Sequence, residues 1–173
     1  MPIEHYLATA LLLLVSMAAV NDLATRRIPN RLLLAGLACA LGLRLLSADP
    51  VQGLLVSLGG CATGLAIFLP FYLLRGMAAG DVKLMAVVGA FVGPEHAFTI
   101  AMLSWCVGGV MALGVLLLRG RMRLALGNLK SILTHFMVPG AALAAPVQES
   151  AGALPYGVAI AAGTMVFLLH FYG

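Results

Sequence analysis

Two aspartates, Asp22 and Asp81, are the residues best suited to chemistry. Each lies in a short charged stretch beside long apolar segments, at Asn21–Asn30 and Ala79–Leu84. A carboxylate next to membrane-spanning segments costs free energy, so its presence there indicates a function. Two carboxylates held close together in a poorly solvated site share a proton, because they cannot both ionise easily, and they supply an acid and a base at the same pH. Such a pair can activate water against a peptide carbonyl and protonate the departing amine.

Two other uses of these aspartates remain open. Metal binding is one, but neither stretch contains a histidine or a third carboxylate, so a complete ligand set is not visible. A structural role is the other, in which each aspartate caps a helix or pairs with a nearby arginine. That role accounts well for one aspartate at a membrane edge and less well for two on the same face.

The elements that must position the aspartates are membrane helices. The chain has 173 residues, of which 62% are hydrophobic and only 9% are charged, whereas soluble domains carry about 25% charged residues. The composition therefore predicts an all-α, polytopic integral membrane protein with a single domain over residues 1–173. The three cysteines lie inside apolar segments without a CxxC pair, which predicts neither a zinc site nor a disulfide framework.

Six apolar segments are candidates for helices that cross a membrane, which takes about 20 residues. The candidates are Tyr6–Val20 with its flanks, Leu32–Leu46, Gly53–Leu74, Leu84–Gly93, His96–Leu118 and Pro155–Tyr172. The fourth is short, so we expect its helix to start near Gly80 or Asp81. Turns are predicted at Ser47–Gln52 and Gly93–Glu95.

The basic residues predict the orientation. Nine of the ten lysines and arginines fall in the loops Asn21–Arg31, Arg75–Lys83 and Arg119–Lys130, on one side of a six-helix arrangement. The positive-inside rule makes that side cytoplasmic. Both aspartates then lie at the cytoplasmic face.

The segment between the fifth and sixth candidate helices is harder to interpret. Apolar residues recur at helical spacing over Leu124–Val138, with polar residues between them. This predicts an amphipathic helix lying in the cytoplasmic interface, and a re-entrant span is the alternative. The following stretch, Ala141–Leu154, is predicted to be a loop.

The two charged stretches resemble the motifs of the type IV prepilin peptidases, which are membrane aspartic proteases. Asp22 followed by Ile28-Pro29-Asn30 is similar to the first motif of that family. Gly80-Asp81-Val82-Lys83-Leu84 resembles the second, a Gly-x-Gly-Asp sequence followed by lysine. Pro155-Tyr156-Gly157 resembles a third element, at the start of the last helix.

The sequence departs from the family pattern in two ways. Ala78 replaces the first glycine of the Gly-x-Gly-Asp motif, which restricts the backbone angles available there. Larger members also carry a cysteine-rich cytoplasmic domain linked to N-methylation of the product, and this sequence has no counterpart of it. The chain therefore resembles the short class associated with Flp (Tad) pili, and methyltransferase activity is not implied.

The resemblance implies an aspartic endopeptidase of the bacterial inner membrane, with Asp22 and Asp81 as its catalytic pair. Its substrate would be a prepilin or pseudopilin precursor, cut at the cytoplasmic face after a glycine that precedes a hydrophobic segment. Membrane lipid would surround it. The resemblance implies no cofactor, no metal and no nucleic-acid partner.

The other motif residues have less specific interpretations. Pro29 and Asn30 are suited to starting the second helix. Lys83 either lies near the two aspartates or contacts lipid phosphate. Arg26 and Arg27 are expected to hold their loop at the anionic leaflet. For Tyr156, an interfacial aromatic belt is the default.

Helix ends predict which aspartate carries the shared proton. Asp22 follows the first helix and meets the negative end of its dipole, whereas Asp81 opens the fourth helix and meets the positive end. On this argument the proton resides mainly on Asp22, and Asp81 takes a proton from water.

Other functions would use the same residues differently. A small transporter or proton channel would use Asp22 and Asp81 as relay carboxylates, and we would then expect them nearer the bilayer middle. A non-catalytic scaffold of a secretion system would tolerate loss of either aspartate. Preflagellin peptidases are a related alternative within the same class of enzyme.

Overall fold

The computed structural model of the chain describes residues 2–74, 76–118, 120 and 155–172. The regular structure of these residues is entirely helical. Its six helices are α1 Pro2–Thr25, α2 Asn30–Leu45, α3 Pro50–Leu73, α4 Ala79–Val92, α5 Pro94–Leu118 and α6 Tyr156–Tyr172. The helix predicted at Leu124–Val138 and the loop predicted at Ala141–Leu154 lie outside the described residues.

The chain divides into two compact units. The first contains Met1–Gly108 together with Pro155–Gly173 and holds both aspartates. The second is Gly109–Leu154, of which the structure describes the end of α5 and Gly120.

Each of the six apolar segments predicted to be helical forms a helix. Three helical segments are long and apolar enough to cross a membrane, namely Ile3–Thr25, Pro50–Leu73 and Pro94–Leu118. Segment Tyr156–Phe171 is apolar but shorter, and α2 and α4 have only 16 and 14 residues. The described residues therefore belong to an all-helical membrane protein, and six membrane crossings remain a prediction.

Two predicted boundaries are wrong because polar residues extend helices into the predicted loops. Helix α1 continues through Asp22 to Thr25, whose Oγ1 donates to the carbonyl of Asn21 over 2.9 Å. Asp22 is thus in the last turn of α1 and not in a loop. Helix α3 begins at Pro50, because Asp49 accepts a hydrogen bond from the Gln52 N–H as its N-cap.

Helix α4 forms the centre of the first unit. Apart from Lys83, its side chains from Asp81 to Phe91 are buried, and it contacts α1, α2, α3 and α6. Because neighbouring helices enclose it, α4 can be apolar on every side although it has only 14 residues. Its predicted start near Gly80 is confirmed, and Gly93 ends it with a left-handed φ of 85°.

Small residues bring α3 and α4 into backbone contact. A Cβ atom on Gly60 would overlap the carbonyl of Gly89, and one on Gly64 would overlap that of Met85. Beside them, the buried Ser57 hydroxyl donates to the Ala90 carbonyl over 2.8 Å. Small residues let helices approach this closely, and the approach fixes α4 along its length.

An arginine holds the other end of α4. Arg44 of α2 donates to the carbonyl of Phe91 over 2.8 Å and to the carboxylate of Glu4 over 3.2 Å. The Phe91 carbonyl belongs to the last turn of α4, where carbonyls lack partners within the helix. Arg44 therefore joins α1, α2 and α4 at the end of α4 remote from Asp81.

We expect Gly60→Ala to lower the thermal stability of the protein in detergent. The added methyl group cannot fit against the Gly89 backbone, and overpacking of this kind costs about 1–3 kcal/mol. Gly42→Ala is the matched control, because a Cβ at Gly42 meets nothing within 4 Å. Unfolding of Gly60→Ala at or above the temperature of Gly42→Ala would contradict this packing.

Candidate active site

Asp22 and Asp81 line the same pocket, which has a volume of about 290 Å³. Both side chains are only 5% exposed. The rest of the lining comes from the two charged stretches, namely Arg26, Arg27, Ile28, Asn30, Ala78, Ala79, Gly80 and Lys83. The folded chain thus brings together the two stretches that the sequence singles out, and it buries both carboxylates where they meet.

Asp22 is held by the beginning of α6. Its Oδ2 accepts a hydrogen bond from the backbone N–H of Gly157 over 2.7 Å, and the N–H of Val158 is near enough to act on this carboxylate. The first N–H groups of a helix have no partner within it and lie at the positive end of its dipole. Both N–H groups therefore stabilise negative charge on Asp22.

Glycine at position 157 allows this close approach of α6 to Asp22. A Cβ atom at Gly157 would lie 2.8 Å from Oδ2 of Asp22 and 3.1 Å from its Cβ. A larger residue would have to displace either the carboxylate or the start of α6. This contact gives a specific role to the third sequence element, whose Pro155 also accepts the Val158 N–H in the first turn.

Asp81 has a different environment, in the first turn of α4. Burial, and after it the nearby charge of Asp22, raise the pKa of the Asp81 carboxyl to about 7. A hydrogen bond with the Ala78 backbone acts in the opposite direction. Around neutral pH, Asp81 is the member of the pair positioned to keep a proton.

The contacts in the folded chain differ from those that the sequence argument used when it placed the shared proton on Asp22. It considered only the helix that carries each aspartate. In the folded chain the N-terminus of α6 faces Asp22 and stabilises its charge, while Asp81 is buried beside that charge. The hydrogen bond from Gly157 favours the negative charge on Asp22, and burial favours a proton on Asp81, which is the opposite of the sequence argument.

The two motifs also contact each other at the pocket. A Cβ on Gly80 would lie 3.5 Å from the side chain of Ile28, so Ile28 covers this glycine. Across the same pocket, Lys83 donates to the side-chain carbonyl of Asn30 over 3.2 Å. Lys83 therefore lies in the pocket that contains the two aspartates, which is one of the two positions expected from the sequence. Its hydrogen bond to Asn30 links the two motifs across this pocket.

The remaining motif residues settle two sequence interpretations. Pro29 is the N-cap of α2 and its carbonyl accepts the N–H groups of Leu32 and Leu33, which confirms its role as a helix start. Ala78 has φ −79° and ψ 149°, an extended conformation that alanine adopts freely. Alanine in place of the family's glycine therefore imposes no strain at this position.

Tyr156 is positioned differently from the expected aromatic belt. Its half-buried ring packs edge-on against Phe68 of α3, with centroids 6.1 Å apart, and against Gly108 of α5. Trp105 also stacks on Phe68, with centroids 6.0 Å apart. Nothing in the sequence pattern distinguished Phe68 or Trp105 from other apolar residues, so this support of the α6 start could not be predicted.

Fold and site together define an all-helical membrane protein with two buried carboxylates in one pocket at its helix ends. The sequence model of the type IV leader peptidase family matches residues 9–113, more than half of the chain. The chain therefore belongs to the type IV leader peptidase family, which makes it a leader-peptidase-type protease and confirms the resemblance seen in the sequence. Searches of the curated proteins and of the solved structures each found no significant match.

The matched region contains both charged stretches and ends before α6 begins. The hydrogen bonds from α6 to Asp22 are thus a feature that the structure adds to the family match.

We expect a protonated carboxyl band in infrared spectra of the protein at about pH 6, where ordinary carboxyls are ionised, and we expect it to disappear as the pH rises through about 7. Asp81→Asn should remove the band. Asp22→Asn should keep it but shift its titration to lower pH, since the neighbouring charge is gone while the burial remains. A band that survives in Asp81→Asn and disappears in Asp22→Asn would show that Asp22 carries the proton.

Proposed function

We propose that this protein is an aspartic endopeptidase that removes the leader from prepilin-like precursors at the cytoplasmic face of the bacterial inner membrane. Asp22 and Asp81 would be its catalytic pair. The observation that carries this proposal is the burial of both carboxylates in one pocket, in a chain that belongs to a leader peptidase family.

The environments of the two aspartates suit an acid and a base. Ionised Asp22 would take a proton from water as the water oxygen bonds to the peptide carbon. Asp81 would give its proton to the carbonyl oxygen at the same time. In the second step Asp22 returns its proton to the departing nitrogen, the C–N bond breaks, and Asp81 regains a proton from the diol. The pair then returns to its starting protonation.

The position of the pocket supports a substrate that itself enters the membrane. Asp22 lies in the last turn of α1 and Asp81 in the first turn of α4, so both are at helix ends. A bond between a polar leader and a following hydrophobic segment would reach this depth when the segment lies in the bilayer. This supports the prepilin or pseudopilin substrate that the resemblance implies, including the Flp (Tad) class.

Charge around the pocket supports the cytoplasmic face. Arg26, Arg27 and Lys83 line the pocket and are exposed, and basic residues of this kind remain on the cytoplasmic side. The same helix-end position disfavours a proton relay, which would need carboxylates deeper in the bilayer.

Asp22→Asn and Asp81→Asn should each abolish leader cleavage while the protein still inserts into the membrane, because the pair acts as a unit. The assay incubates membranes with a candidate prepilin and follows loss of the leader. Asp49→Asn is the matched control, since Asp49 caps α3 away from the pocket and asparagine caps helices equally well. Near-normal cleavage by either pocket variant at wild-type protein levels would exclude the proposed pair.

A reporter active only in the periplasm should be active when fused after Asp49. The same reporter should be silent after Arg27 or Gly76, because the basic connections remain inside. Activity after Gly76 would place the pocket on the side away from the leader peptide and overturn the cytoplasmic assignment.

A further inference from the structure

Arg26 has an unusual backbone conformation for its residue type. Its φ is 53°, and among the described residues it is the only one other than glycine with a positive φ. It directly follows α1, and its N–H donates to the backbone carbonyl of Asp22 over 2.8 Å. Helices often end with a left-handed residue of this kind, but the position is usually glycine because a Cβ atom is disfavoured there. Ending α1 therefore does not require arginine.

The side chain of Arg26 lies at the candidate active site. It lines the pocket that contains both aspartates, and its charge acts on the Asp22 carboxylate. Strained backbone conformations persist where the surrounding structure holds them, and they cluster at functional sites. Arg26 has a strained backbone conformation and lines the candidate active site.

Other charged or titratable groups face Asp22 from the elements packed around it. They are Asp81 and Lys83 of α4 and Arg27 of the α1–α2 connection, and Tyr156 of α6 interacts with Asp81. Lys83 is engaged by Asn30. Arg31 of α2 is exposed and lies outside the pocket lining. Arg26 is the one arginine of this group whose backbone is strained.

We propose that Arg26 is a positioning residue for proteolysis. Its left-handed backbone places a positive charge at the pocket, where it keeps Asp22 in the charged form that accepts a proton from water. This rests on the proposed function. Membrane anchoring alone would be served by arginines in relaxed conformations, and Arg27 and Arg31 already provide them.

The test compares the pH dependence of leader cleavage by the wild type with that of Arg26→Gly, Arg26→Asn and Arg26→Lys. Glycine and asparagine tolerate the left-handed conformation, so both variants should unfold at no lower a temperature than the wild type. Their cleavage should nevertheless fall roughly two- to fivefold on the acid side of the optimum, the range that an exposed charge pair provides. The acid limb of the profile should move to higher pH.

Two comparisons separate this effect from a general loss of charge. Arg26→Lys keeps the charge and should retain the wild-type profile, and Arg31→Gln removes a charge outside the pocket and should also retain it. Added salt should move the acid limb of the wild type towards that of Arg26→Gly, because exposed charges are screened.

A wild-type pH profile in Arg26→Gly and Arg26→Asn would overturn this inference and leave the proposed function intact. So would an Arg26→Lys variant no better than Arg26→Gly. Absence of cleavage by the wild type itself would overturn the proposed function and this inference with it.

Discussion

The site depends on the hydrogen bond from the Gly157 N–H to the carboxylate of Asp22. It joins residues 135 positions apart, and it fixes the last turn of α1 against the first turn of α6. Without it, Asp22 would be a buried carboxylate at the negative end of its own helix, which is an unfavourable place for charge. With it, α6 supplies the donors that stabilise the charged form.

The position of Asp81 depends on a different constraint, the enclosure of α4. Backbone contact with α3 at Gly60 and Gly89 and the Arg44 hydrogen bond at Phe91 fix this helix along its length and at its far end. Its first turn is consequently a rigid support for Asp81. Burial, and after it the nearby charge of Asp22, raise the pKa of this carboxyl to about 7, so Asp81 is able to keep a proton near neutral pH.

Much of this was accessible from the sequence. Apolar segments predicted the six helices of the described residues, because membrane helices are uniformly apolar, and the charged stretches identified the aspartates that share the pocket. The end of α1 was misplaced, because hydropathy does not register the polar side chains that extend a helix by a turn. The sequence argument about the shared proton missed the N–H groups of Gly157 and Val158 beside Asp22, because they lie far along the chain. Contacts such as Ile28 on Gly80 leave no sequence pattern at all.

The most direct test of the account is leader cleavage by Gly157→Ala. The added Cβ would lie 2.8 Å from Oδ2 of Asp22, so the carboxylate must shift and the variant should insert normally yet lose activity, by up to the order of 100-fold that a misplacement of about 1 Å costs. Gly109→Ala, whose Cβ meets nothing within 4 Å, should cleave as the wild type does. Cleavage by Gly157→Ala at the rate of Gly109→Ala would contradict the role given to α6.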